Sequence, residues 1–148
     1  MSSNLSPSER LGYLVKRAQH SLRTSMDEAL SPVAITTPQY NVLCAVEVEP
    51  GISNAALARS AFVTAQSMQG IVANLERLGL ISRVQGPDHG RILRSELTLR
   101  GLEVLTQAHA LVKVVEVRLV QGMEAEEIKL LIHLLQCCTE NLTASTPR

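Results

Sequence analysis

Apolar residues recur at helical spacing along most of this 148-residue chain and give way to short runs only once, near its middle. Ser6-Pro7-Ser8-Glu9 has the form of a capping box with proline at the first helical position, and Leu11, Leu14, Val15, Ala18, Leu22 and Met26 follow on one face. The pattern predicts a first helix over Pro7 to Leu30. Thr37-Pro38, a cap followed by proline, starts a second that closes at Pro50-Gly51. Ser53 is the expected cap of a short third helix holding Ala55, Ala56, Leu57 and Ala58. After a break at Ala61 to Val63, Thr64 caps a fourth, whose Met68, Ile71, Val72, Leu75 and Leu78 form one stripe stopped by Gly79.

Beyond Gly79 the pattern changes. Leu80 to Gln85 and Ile92 to Leu97 are short and flank the turn-rich Gly86-Pro87-Asp88-His89-Gly90, which predicts a β-hairpin. Thr98 then caps a long helix carrying Leu102, Leu105, Ala108, Val112, Val115 and Leu119, and Gly122 interrupts it before Glu124 opens another. That last helix is apolar on one face at Ile128, Leu131, Ile132, Leu135, Cys138 and Leu142 and on a second at Leu130, Leu134 and Cys137. So wide an arc predicts burial on more than one side.

A short helix, a helix with a polar outer face and a two-stranded hairpin, in that order, describe a winged helix-turn-helix, which reads a DNA groove with its second helix. The expected fold is mostly α: a winged helix-turn-helix with a two-stranded β wing and a helical dimerisation region from both chain ends. One domain spans 1–148, with the winged-helix lobe at 36–100 and the dimerisation region at 7–35 and 101–143. The first and the last two helices carry more apolar surface than a small lobe can cover, which predicts a two-fold homodimer.

Charge sharpens this picture. The whole chain balances at 14 basic and 14 acidic residues, but Ser53 to Gly101 holds six arginines against three acidic side chains, leaving the remainder acidic. Arg83, Arg91 and Arg94 surround the hairpin turn. Arg91 at its tip suits the minor groove, where negative potential attracts guanidinium. A hairpin that docks only on protein needs no basic tip, which separates DNA reading from its rival, a winged-helix module for protein contacts.

Composition bounds the rest. Apolar residues make up 45% of the chain, enough for a core of ordinary size. There is no signal-peptide pattern and no apolar run long enough to span a membrane, so a soluble cytoplasmic protein without membrane contact is expected. Cys44, Cys137 and Cys138 fit thiols in a reducing compartment, Cys44 as a buried structural thiol within the second helix. His20, His89, His109 and His133 lack metal-ligand spacing, and no phosphate loop or nucleophile grouping points to an enzyme. No metal or cofactor is expected.

The stretch "ISNAALARSAFVTAQSMQGIVANLERLGLISRV" resembles the recognition-helix region of the MarR family of winged-helix transcriptional regulators, and "PDHGRILRSELTLRG" is similar to that family's wing. The resemblance covers roughly residues 8 to 142. It implies a sequence-specific transcriptional regulator, a repressor of a pseudo-palindromic operator in double-stranded DNA, released by a small-molecule effector. Asp88 and Arg91 match the family's paired wing residues, although His89-Gly90 separates them here. On the outer face of the fourth helix, Gln66 and Gln69 have the chemistry to read base edges and Thr64 and Ser67 lie where phosphate binds. Gly70 permits close approach, and Asn74 completes the polar face. Arg77, Arg83 and Arg94 are candidates for phosphate contacts. By analogy with the family's effector pockets, Arg17, His20 and Tyr40 are placed at the border of such a site.

Overall fold

The computed structural model describes residues 6–86 and 93–144. The expected wing tip, with Asp88 and Arg91, lies outside the described residues. Among the described residues the α-helices and strands are α1 (Leu11–Leu30), α2 (Thr37–Val48), β1 (Ile52–Ser53), α3 (Asn54–Ser60), α4 (Ala65–Arg77), β2 (Ile81–Gln85), β3 (Leu93–Leu97), α5 (Leu99–Leu119) and α6 (Ala125–Thr143).

The helix starts are local chemistry with two corrections. The box at Ser6 forms, Glu9 accepting from the Ser6 amide at 2.9 Å, but it closes a single 3-10 turn over Pro7–Glu9. Arg10 is extended, so α1 begins only at Leu11. The cap of α2 is Thr36, in a reciprocal box with Gln39, rather than Thr37. Thr37 is committed elsewhere: its amide and hydroxyl both donate to Asp27 of α1, at 2.8 and 2.6 Å. Ser53 and Thr64 cap α3 and α4 as expected. Gly79, at φ +72°, ends α4 with paired bonds from Gly79 N to Glu76 O and from Leu80 N to Leu75 O, the closure that a left-handed residue provides.

The two expected strands, β2 and β3, pair antiparallel, and among the described residues β1 adds a third strand to their sheet. β3 lies between β1 and β2, antiparallel to both, with Ile52 opposite Ser95 and Arg83 opposite Ser95 on the other side. β1 is two residues long and exists by pairing, so no local alternation announces it. Gly101 locks the next junction, since a Cβ there would collide with the Leu80 carbonyl.

Two compact units divide the chain at Val115 and Glu116. The first is organised around Leu30, Leu43, Leu57, Met68, Leu75 and Leu105, all essentially inaccessible to solvent. Cys44, expected as a buried structural thiol, packs against this core and is half-buried. The second unit holds the end of α5, a turn at Gly122 and α6. No residue of α6 is buried, so its apolar arc is exposed in the single chain. Leu130, Leu131, Ile132, Leu134 and Leu135 are exposed, as are Leu11, Tyr13, Leu14 and Val15 of α1. Among the described residues no helix is long and apolar enough to cross a membrane.

Candidate nucleic-acid interface

Helix α4 separates its faces cleanly. Met68, Val72 and Leu75 are buried, while Thr64, Gln66, Ser67, Gln69 and Gly70 are exposed. The Thr64 hydroxyl accepts from Ser67 N at 3.1 Å and donates to Ser67 Oγ at 3.0 Å, which fixes the first turn. The amides of Ala65 and Gln66 precede the intrahelical ladder, so this end presents donors and a partial positive charge. Gly70 sits mid-helix, where glycine is costly relative to alanine. A Cβ there would meet nothing within 4 Å, so no internal contact explains the glycine.

Asn74 stands apart from this open face. It is half-buried, and its Oδ1 accepts from Gln39 Nε2 of α2 at 3.4 Å. Gln39 also closes the box of α2, so this pair ties the orientation of α4 to the start of α2.

The arginines divide in the same way. Arg83 projects from β2 with a side chain only 15% exposed, its Nε lying 3.6 Å from Glu76 Oε2. Its Nε and Nη2 are buried without a hydrogen-bond partner among the described residues. Arg83 lines an open groove of about 390 Å³ together with Asn54, Ala65, Gln69 and Leu93. Asn54 Nδ2 donates to Ala65 O at 3.3 Å and joins the starts of α3 and α4 beside it. Arg94 of β3 instead donates from Nη1 to Gly51 O at 3.2 Å and braces β1 against β3. Arg77 is exposed in the last turn of α4.

Of the residues assigned to an effector site, Arg17 and His20 are exposed on α1, and Tyr40 is half-buried on α2. Tyr40 faces a partner that sequence patterning did not single out for this site. Its hydroxyl lies 2.9 Å from His109 Nδ1 of α5, the rings meet edge-on at 5.6 Å, and His109 Nε2 is 3.0 Å from Glu47 Oε2. The Tyr40–His109 link spans 69 positions, so no local signal marks it. Asp27 lies at the α1–α2 junction, where the Thr37 hydroxyl, then the Thr37 amide and Arg23, hold its carboxyl below the ordinary value near 3.8, against an opposing effect of burial.

The model of the MarR family matches residues 35–92. Among curated proteins, the HTH-type transcriptional repressor Rv2887 of Mycobacterium tuberculosis is 36% identical over 117 residues, covering 79% of this chain and 84% of that protein. A crystal structure of Rv2887 in complex with salicylic acid matches with a TM-score of 0.71 at 33% identity, over 90% of this chain and 99% of that one. A variant of Escherichia coli MarR complexed with operator DNA matches with a TM-score of 0.82 at 26% identity, over 86% and 92%.

Proposed function

This chain belongs to the MarR family of transcriptional regulators, and on that premise we propose that it is a homodimeric repressor that reads an operator in double-stranded DNA with α4. A small aromatic acid releases it. The reading makes it a cytoplasmic binding protein rather than an enzyme. The observation that carries it is the outer face of α4, polar, uncharged and exposed from Thr64 to Gly70, with a glycine that the interior does not require.

Each side chain then has a role. Gln66 and Gln69 read base edges in the major groove, and Gly70 lets the helix approach them closely. The first turn, at Thr64 and Ser67, binds a phosphate together with Arg83, which lines the groove beside Ala65 and Gln69. Arg91 reaches the minor groove from the wing. Asn74 and Arg94 act indirectly, by holding α4 and the sheet in position, and Arg77 is left as a peripheral phosphate contact. Residues 7–35 and 101–143 supply the dimer contacts, a role supported by the apolar side chains that α1 and α6 expose. Tyr40, with His109 beside it, and Arg17 and His20 border the effector site; that there is a small-molecule effector is supported by the salicylic acid complex of Rv2887.

Selection of bound duplexes from random DNA tests the proposal. Convergence on an inverted repeat, bound at least about a thousandfold more tightly than a scrambled duplex, is the expected result. Failure to enrich any sequence would overturn it.

A further inference from the structure

The turn between α3 and α4 carries Phe62, the single phenylalanine of the chain. The fold has no internal use for it. Its backbone lies at φ +54°. Phe62 N donates to Arg59 O at 3.3 Å and Val63 N to Ala58 O at 3.1 Å, the paired bonds with which a helix closes on a left-handed residue, a position that glycine ordinarily takes. A bulky side chain there is strained. Nor does the ring repay the strain by packing, because Phe62 is 91% exposed. Backbone and side chain both favour glycine at this position, and an outlier held against local preference points to a role outside the fold.

Its position indicates what that role is. Phe62 precedes Thr64, the cap of α4, by two residues, and Val63 between them is exposed as well. An apolar patch therefore sits at the leading end of the helix that enters the groove, where recognition helices meet base edges. A neutral ring gains little from a phosphate. The thymine C5-methyl is the apolar feature of the major groove and packs against such side chains.

We propose that Phe62 is an apolar DNA-reading residue that packs against a thymine C5-methyl group at the edge of each half-site. The inference rests on the operator-binding reading above.

The test uses the full chain and the duplex it selects, with each thymine replaced in turn by deoxyuridine, which removes the methyl group alone. One position per half-site should weaken wild-type binding about fourfold, the effect of burying one carbon. Phe62→Gly should bind the thymine duplex at least about fourfold more weakly per half-site and be indifferent to deoxyuridine at that position. Its Tm should rise by roughly 2–6 °C, because glycine relieves the strained turn. Phe62→Leu should retain part of the methyl sensitivity. Unchanged affinity and an unchanged deoxyuridine profile in Phe62→Gly, while the wild type still selects an operator, would overturn this inference alone. An equal loss on thymine and deoxyuridine duplexes would do the same. A wild type that selects no duplex would remove the operator-binding reading with it.

Discussion

At the scale of single residues, Gly70 distinguishes what the fold requires from what the proposed operator contact would require. Its surroundings leave room for a methyl group, and alanine is the better helix former by up to about 1 kcal/mol. Gly70→Ala should therefore raise stability in urea unfolding by up to about that amount. If α4 approaches base edges closely there, the same variant should bind its operator roughly tenfold more weakly, the scale of one misfitted contact in a specific interface. A more stable protein with unchanged affinity would remove Gly70 from the contact surface. Residues of this kind were legible in the sequence because exposure, capping and helical face follow from spacing over a few positions. Asn74, Arg94 and Tyr40 were not legible in the same way. Their partners Gln39, Gly51 and His109 lie 35, 43 and 69 positions away, and only the assembled fold brings them together.

Elements depend on two junctions, one just beyond the end of α4 and one between α1 and α2. At the first, the backbone of α5 passes so close to Leu80 that only glycine fits at position 101. Leu80 O is itself held by the Thr98 amide at 3.1 Å, and Leu80 and Ile81 are buried, so the carbonyl cannot retreat easily. Gly101→Ala should lose about 3 kcal/mol of stability, the upper part of the range for overpacking, as a lower urea midpoint. The second junction is Asp27, which accepts from Thr37 and Arg23 and ties α1 to α2. Its pKa is depressed in the folded state, so its contribution is present above the unfolded value and lost as the pH falls through the folded one. Asp27→Asn should be less stable than the wild type at about pH 6, and the gap should narrow towards about pH 3. A gap that stays constant over that range would contradict a role for the ionised carboxylate. Helix order was legible because each start has a cap and each long helix a stripe. β1 was not: two residues carry no alternation, and the strand is defined by β3 alone. The cap of α2 slipped by one residue because Thr36 and Thr37 are adjacent and chemically equal, and Asp27 decides between them.

For the molecule as a whole, the basic segment from Ser53 to Gly101 lies between two acidic ends, and the apolar residues exposed on α1 and α6 belong to those ends. On the proposed reading, polyanion binding and self-association fall to different parts of one chain. A two-fold dimer presents two copies of α4, so its operator must carry two half-sites related by the same symmetry, about one helical turn apart. Hydroxyl-radical footprinting of the selected duplex, with the bound stoichiometry measured on the same sample, tests this most directly. The account predicts two protected half-sites centred about 10 bp apart and two chains per duplex. A single protected half-site occupied by one chain would contradict it.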